Sequence, residues 1–131
     1  MSRMKKGYTL VEILTVVVIL AVLATLVLPR FTGQSERAVV AEAVSMLSAI
    51  RQAEASFFLE NAGYTSDLTP AGPLDVEISG TRFTYTADVA GTASATRALS
   101  GCVGRTIVLT IDGTFSGTHP FGPNPDAGAV C

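Results

Sequence analysis

The chain has 131 residues, of which 48% are hydrophobic and 15% charged, and its formal net charge is −2. This length favours a single domain. Because nucleic-acid binding depends on basic patches, the acidic balance argues against it. The hydrophobic residues are concentrated near the N-terminus, where Ile13 to Leu28 includes only two polar side chains, Thr15 and Thr25.

A glutamate, Glu12, stands at the front of this apolar run, and three basic residues, Arg3, Lys5 and Lys6, precede it. A secretory signal peptide has a shorter apolar core without an acidic interruption. A plain membrane anchor needs about 20 apolar residues. Residues 8–28 supply them and leave the basic residues in the cytoplasm. A plain membrane anchor explains the length of the apolar segment but not the presence of Glu12.

The stretch KKGYTLVEIL resembles the processing site of type IV prepilins and pseudopilins. That family has a short basic leader ending in glycine, then an aromatic residue, a Thr-Leu pair and a glutamate at the fifth mature position. Here residues 1–7 form the leader, Tyr8 becomes the new N-terminus and Glu12 is the fifth residue. The resemblance implies that prepilin peptidase cleaves between Gly7 and Tyr8 and methylates the amine of Tyr8, where the family usually has Phe.

The resemblance also gives Glu12 a partner. Cleavage creates a cationic amine at Tyr8, and within a filament the Glu12 carboxylate of one subunit meets the amine of its neighbour. Removing either charge leaves the other buried and unpaired, at a cost of about 3 to 5 kcal/mol. We therefore interpret Glu12 as the residue that sets assembly register. The alternative is an interfacial glutamate that faces lipid headgroups.

The apolar pattern continues beyond Pro29, which interrupts the helical hydrogen bonds and predicts a kink. Residues 29–62 are predicted to form the amphipathic half of one long helix, with Gly63 as its C-cap glycine. Charged residues, Glu54 among them, are assigned to its solvent faces. Apolar residues spaced alternately four and three apart form one stripe: Val39, Ala43, Met46, Ile50, Ala53 and Phe57.

The sequence pattern changes after the predicted helix, and residues 63–131 are predicted to form a globular head. Two stretches alternate apolar and polar residues as half-buried strands do: TRFTYTADV, with Phe83, Tyr85, Ala87 and Val89, and TIVLTIDGTF, with Ile107, Leu109 and Ile111. Asp112-Gly113 predicts a turn into a short strand near Phe115. DVEIS is a weaker strand candidate, and GTASATRALSG is interpreted as a loop or short helix. The predicted fold is α+β, in which an antiparallel sheet of about three or four strands covers the helix stripe.

Two cysteines, Cys102 and Cys131, lie in the last third of the chain. Two thiols in a short chain with an export-like start favour a disulfide, and free cytosolic thiols are the alternative. Closing a loop of about 30 residues stabilises the fold by about 3 to 4 kcal/mol in the chain-entropy model. In pilins a C-terminal disulfide bounds a surface loop region, whereas major pseudopilins often use calcium, so the resemblance favours a pilin.

The sequence contains no constellation typical of an enzyme, and it predicts neither a cofactor nor a metal site. His119 is the only histidine, and its neighbours Thr118 and Pro120 indicate an exposed turn. Asp112-Gly113 is interpreted as a hairpin turn and not as a calcium ligand.

These features predict a structural subunit of a type IV pilus-like filament that polymerises with itself through its N-terminal helix. The implied partners are prepilin peptidase and a pilus or secretion assembly platform with a separate ATPase. The subunit is expected to cross the bacterial inner membrane once before assembly, with its N-terminus cytoplasmic, and then to enter an extracellular or periplasmic filament. The alternatives are a pseudopilin of a type II secretion system and a minor pilin that acts as a binding or adhesion module.

Overall fold

The computed structural model describes residues 7–78, Gly80 and 82–131, and of residues 26–33 it describes only the backbone. The chain divides into two compact units, Met1–Ser35 and Glu36–Cys131. The described residues form one helix and four strands: α1, Leu10–Asn61; β1, Phe83–Ala87; β2, Ala93–Arg97; β3, Thr106–Leu109; and β4, Phe115–Ser116. The α+β class predicted from the sequence is confirmed.

In the first unit, α1 runs through the predicted apolar segment, and the backbone of residues 26–33 is helical. The kink at Pro29 and the last residues of the predicted span 8–28 fall in this stretch, where side chains are not described, and both stay predictions. Of the leader 1–7, only Gly7 lies among the described residues. Within the part of the chain that the structure describes, no helix is both long and apolar enough to cross a membrane.

The C-terminus of α1 differs from the prediction by one residue. Ala62, with a φ of 54°, adopts the left-handed conformation that was expected of Gly63. The Ala62 amide N–H donates to the Phe58 carbonyl at 2.8 Å, which completes the last turn. Gly63 as the C-cap glycine is therefore wrong. The left-handed conformation is strained at Ala62 because its Cβ crowds the backbone.

In the second unit, one face of α1 packs against an antiparallel sheet whose strand order is β1-β2-β3-β4. In the sheet register, Ala95 pairs with Tyr85 and Ile107, and Ala93 pairs with Ala87 and Leu109. The central strand β2 thus contributes small side chains to the core, which leaves room for larger ones from α1 and β3. The buried core comprises Val39, Val40, Ala43, Leu47, Ile50, Phe83, Ala93, Ala95, Ile107 and Leu109.

The strand β2 corrects the interpretation of GTASATRALSG as a loop or short helix. Alanine and serine have weak strand propensity, so local sequence gives little indication of a strand. Hydrogen bonding to β1 on one side and β3 on the other places the segment at the centre of the sheet.

Two other strand predictions are wrong, one in its end and one as a whole. β1 ends at Ala87, and Val89 lies in the following turn with 73% of its surface exposed. The stretch DVEIS forms no strand in its described residues, Asp75 to Ile78. The turn at Asp112-Gly113 is confirmed, since Gly113 has a φ of 92° and β4 follows directly.

The Gly- and Pro-rich tail lies along the short edge strand β4. The Asn124 Nδ2 donates to the Phe115 carbonyl at 2.9 Å. The Asp126 amide N–H donates to the Gly117 carbonyl at 2.8 Å. The tail therefore occupies carbonyl groups that an edge strand otherwise leaves unpaired.

The strain at Ala62 yields a stability prediction. We expect Ala62→Gly to raise the free energy of unfolding by about 0.5 to 1 kcal/mol. Relief of the left-handed strain, about 1 to 2 kcal/mol, exceeds the added freedom of the unfolded chain, about 0.4 to 1 kcal/mol. Urea unfolding followed by circular dichroism measures the change.

The matched control is Ala55→Gly, which lies at an exposed position inside α1. This change should lower the free energy of unfolding by about 1 kcal/mol, because glycine is a poor helix former. A loss of stability in both variants would contradict the assignment of strain to Ala62.

Candidate functional site

The start of α1 carries the residues predicted for processing and assembly. Thr9 caps the helix: its Oγ1 accepts the Glu12 amide N–H at 3.3 Å. Its carbonyl accepts the amide N–H groups of Glu12 and Ile13 at 3.1 and 3.2 Å. A threonine followed three residues later by a glutamate is the sequence of a capping box. A carboxylate in the first turn also complements the helix dipole. The structure shows the threonine half of this box, and the Glu12 carboxylate has a favourable local position through the dipole in addition to its predicted assembly role.

The first unit presents an apolar surface on every side of α1. From Leu10 to Leu23 its large hydrophobic residues are between half and more than four-fifths exposed. The two threonine hydroxyls of residues 10–25 form hydrogen bonds within the helix. Thr15 Oγ1 donates to the Glu12 carbonyl at 2.9 Å, and Thr25 Oγ1 donates to the Val22 carbonyl at 2.7 Å. A helix that is apolar all round is normally covered by protein or lipid.

The second unit contains a buried ion pair between α1 and β2. Arg97 Nε donates to Glu36 Oε1 at 2.8 Å, and Nη2 donates to Oε2 at 3.3 Å. A third donor, Nη1, binds the Arg82 carbonyl at 3.0 Å. The guanidinium also lies 5.3 Å from the ring centroid of Phe83. The side chains of Arg97 and Glu36 are only 4% and 13% exposed. The pair fixes the position of this part of α1 on the sheet.

His119 completes this polar cluster, and its burial contradicts the predicted exposed turn. The residue is 1% exposed, and its amide N–H donates to the Thr106 carbonyl at 3.0 Å. Nε2 lies 3.4 Å from Glu36 Oε1, while Nδ1 accepts the Phe121 amide N–H at 3.3 Å. The neighbours Thr118 and Pro120 gave no indication of burial, which results from pairing of the tail with β3.

The cluster shifts the ionisation of two of its members. Burial by itself would raise the pKa of Glu36, but the hydrogen bond and charge of Arg97, with those of His119, lower it below 4.5. Burial lowers the pKa of His119 below 6.5, and the charges of Arg97 and Arg105 act in the same direction, against the attraction of Glu36. The cluster therefore favours an ionised Glu36 beside a neutral His119.

Glu54 is a second buried carboxylate that the sequence had assigned to a solvent face. It is 2% exposed. Its Oε2 accepts the Thr65 amide N–H at 3.2 Å, and its Oε1 has no hydrogen-bond partner among the described residues. Burial raises the pKa of Glu54, the Thr65 hydrogen bond opposes this, and the nearby charge of Asp88 adds to it. The helical pattern did not distinguish Glu54 from the exposed acids of α1.

The structure joins Cys102 and Cys131 in a disulfide. Gly7, Tyr8 and Glu12 lie in sequence at the start of α1, and Tyr8 is 79% exposed. Their roles in cleavage, methylation and register stay predictions. Sequence reasoning missed the cluster of Glu36, Arg97 and His119. The available signal was that Arg97 shares the strand face of Ala93 and Ala95.

Comparison with known proteins supports the N-terminal resemblance. Residues 2–28 match the family described as the prokaryotic N-terminal methylation motif. This match covers the predicted leader, cleavage site and apolar run.

Three relatives illustrate the wider similarity. The chain is 39% identical over 74 residues to the type II secretion system core protein G of Dickeya chrysanthemi, covering 56% of this chain and 48% of the relative. It is 37% identical over 68 residues to a fimbrial protein of Pseudomonas aeruginosa, covering 52% and 44%. It is 32% identical over 72 residues to the type IV major pilin protein PilE of Neisseria gonorrhoeae, covering 55% and 43%.

These matches span about half the length of each relative. Together with the motif, they confirm that the chain resembles type IV pilins and pseudopilins.

The buried His119 predicts acid sensitivity of the fold. Because the pKa of His119 is lowered on folding, the unfolded chain binds more protons below about pH 6.5, and stability falls with falling pH in that window. The slope reaches at most about 1.4 kcal/mol per pH unit. Urea unfolding of the wild type and of His119→Asn between pH 7 and pH 5 measures it, and the variant should show a shallower slope.

The raised pKa of Glu54 acts in the opposite direction, because the folded chain then binds more protons above pH 4.5 and loses stability as pH rises. Glu54→Gln is therefore the control and should steepen the acid-induced loss. An identical slope for the wild type and His119→Asn would refute the assignment to His119.

Proposed function

We propose that the chain is a structural subunit of a type IV pilus-like filament, processed by prepilin peptidase and polymerised with copies of itself through its N-terminal helix. The observation that carries the proposal is the KKGYTLVEIL stretch at the start of a helix whose apolar surface is exposed on every side. The role is structural and not enzymatic.

The exposed surface of residues 10–23 supports polymerisation. Leaving this surface in water costs about 25 cal/mol per Å², so the row of exposed Leu, Ile and Val has to be covered by lipid or by neighbouring helices. Because Thr15 and Thr25 donate to their own helix, the segment carries no unmet side-chain donor. It can therefore exchange lipid for neighbouring helices without losing hydrogen bonds.

The backbone at the proposed cleavage site is consistent with recognition by an enzyme. A Cβ atom placed on Gly7 would meet no heavy atom within 4 Å, and Gly7 has no left-handed φ. The described structure thus gives no steric reason for glycine at this position. Selection of glycine by prepilin peptidase, with cleavage before Tyr8 and methylation of its amine, supplies such a reason.

In the filament, the Glu12 carboxylate pairs with the new amine of Tyr8 on an adjacent subunit. A subunit added out of register leaves both charges unpaired within apolar surroundings, which costs about 3 to 5 kcal/mol. This penalty selects one position along the filament axis.

The proposed organisation follows the predicted boundaries: leader 1–7, filament-core helix 8–28, amphipathic half 29–62 with a kink at Pro29, and head 63–131. Before assembly, residues 8–28 lie in the inner membrane with the N-terminus cytoplasmic. After assembly, the subunit lies in an extracellular or periplasmic filament. An assembly platform with a separate ATPase supplies the energy that moves the subunit from the membrane into the filament.

A second candidate function is that of a type II secretion pseudopilin, which the similarity to core protein G favours. Sheared surface filaments that contain this chain would identify a pilus. Failure of protein export after deletion of the chain, without surface filaments, would identify a pseudopilus. A minor pilin that acts as a binding module would appear as a rare component of filaments built from another subunit.

The processing step predicts the mass of the mature chain. Mass spectrometry of protein from the native cells should show a chain that begins at N-methylated Tyr8. Gly7→Leu should retain the leader, because a bulky residue replaces the glycine next to the scissile bond. An intact Met1 in the wild type would contradict the proposed processing.

The two roles of Glu12 are separable by substitution. Glu12→Gln keeps a side chain that can complete the capping box but removes the charge. We expect normal expression and about a hundredfold weaker subunit addition, the equivalent of about 3 kcal/mol. Electron microscopy and quantification of sheared filaments measure the effect.

Thr9→Ala is the matched control, since it removes the observed cap, at a cost of about 1 kcal/mol of helix stability, and leaves the charge in place. Filaments should still form from this variant. Wild-type filament yield from Glu12→Gln would show that capping alone explains the glutamate.

A further inference from the structure

Three potential metal ligands meet in the second unit, at a place that the filament proposal does not use. The ligand atoms of Glu36, Cys102 and His119 all lie within 4.8 Å of one another. The three residues come from α1, from the loop between β2 and β3, and from the tail beyond β4. Cys102 and His119 are at most 2% exposed.

The loop that carries Cys102 approaches Glu36 closely. A Cβ atom on Gly101 would lie 2.7 Å from Glu36 Oε2, and Gly101 has a φ of 85°. Only glycine avoids both the contact and the backbone strain. Cys102 is thereby held beside the carboxylate.

His119 supplies a second, independent observation. Its Nε2 is buried, and its contact with Glu36 Oε1 at 3.4 Å is longer than an ordinary hydrogen bond. Buried polar atoms are normally satisfied. An imidazole nitrogen without a close hydrogen bond, in a group of ligand atoms that lie within 4.8 Å of one another, is placed as a metal ligand would be.

We propose that reduction of the Cys102–Cys131 disulfide converts this cluster into a binding site for Zn²⁺. In the oxidised chain the sulfur of Cys102 is bonded to Cys131 and offers no thiolate. In the reduced chain, a thiolate, an imidazole nitrogen and a carboxylate oxygen form the mixed ligand set that Zn²⁺ accepts, with water as a fourth ligand. The proposal does not depend on filament assembly.

The reduction has a defined route. Cys131 is exposed whereas Cys102 is buried, so one thiolate of a dithiol reductant attacks the sulfur of Cys131. The disulfide breaks and Cys102 leaves as a thiolate. The second thiol of the reductant then displaces Cys131, so that the protein gains two electrons and the reductant becomes a cyclic disulfide.

Metal binding requires three local changes. Ligand atoms of a tetrahedral site lie roughly 3.5 Å apart, so the most distant pair must approach by about 1 Å. Glu36 must share its Oε1 between the metal and Arg97, which keeps its bond to the Arg82 carbonyl. Coordination through Nε2 places the imidazole proton on Nδ1 and gives up the long contact with the Phe121 amide.

The consequence is a cross-link between these segments that does not require disulfide formation. The disulfide ties the tail to the loop between β2 and β3, and the metal would tie that loop, the tail and α1 together. A newly made chain that has not yet formed its disulfide could hold the same three segments in place with Zn²⁺.

A pair of cysteine variants tests the proposal in the full chain in detergent, under anaerobic conditions with a phosphine reductant. Both Cys131→Ser and Cys102→Ser lack the disulfide, but only the first keeps the proposed ligand. Co²⁺ is the spectroscopic probe, because a thiolate bound to Co²⁺ gives a charge-transfer band in the near ultraviolet. We expect one equivalent of Co²⁺ to produce this band in Cys131→Ser, Zn²⁺ to abolish it, and Cys102→Ser to show none. The oxidised wild type, measured without the reductant, should also show none.

Adding His119→Gln to Cys131→Ser should weaken Co²⁺ binding about tenfold or more. Comparison of the circular dichroism spectrum of each variant with that of the reduced wild type verifies the fold. Absence of the band in Cys131→Ser overturns the proposal, as does an equal band in Cys102→Ser. Loss of the folded head in reduced protein with metal present also overturns it, since the site requires all three segments in place.

Discussion

The second unit depends on the buried pair of Glu36 and Arg97, because it joins α1 to the sheet by two directional bonds at a place closed to solvent. Apolar contacts between Leu47, Ile50 and the sheet are strong but permit sliding. A bidentate ion pair permits one position only. A buried pair of this kind contributes little net stability when complete but is costly when one member is absent. It therefore specifies how helix and sheet align.

The two units differ in whether their apolar residues are covered by the protein itself. The second unit buries an apolar core of its own between α1 and four strands. The first unit leaves an apolar surface uncovered along the helix, with both threonine hydroxyls turned back to the backbone. A chain with these properties combines a head that has its own core with a helical segment whose exposed apolar surface is normally covered by protein or lipid. This combination is what a subunit of a membrane-derived filament requires.

Sequence reasoning predicted the features that have strong local signals. The helix, the strands at Phe83 and Ile107, the turn at Asp112-Gly113 and the general placement of the apolar stripe all follow from periodicity or turn chemistry. It failed where pairing partners decide the outcome. β2 is built from Ala, Ser and Thr, and only its neighbours make it a strand.

Burial of polar side chains was equally hard to predict from the sequence. Glu54 has the same sequence surroundings as the exposed acids of α1, and His119 lies in a stretch of turn-forming residues. Arg97 lies in a stretch that was interpreted as a loop or short helix, although its charge is paired with Glu36 inside the protein. A polar side chain becomes a core residue through contacts formed by distant segments, which no local pattern records.

The tail that covers β4 has a consequence for chains that are not yet assembled. Open strand edges allow sheets of separate molecules to join through their backbones, and such joining leads to aggregates. By accepting bonds from Asn124 and Asp126, the Phe115 and Gly117 carbonyls are withdrawn from that reaction. A head whose edge strand is covered in this way can accumulate at high local concentration without aggregating through that edge.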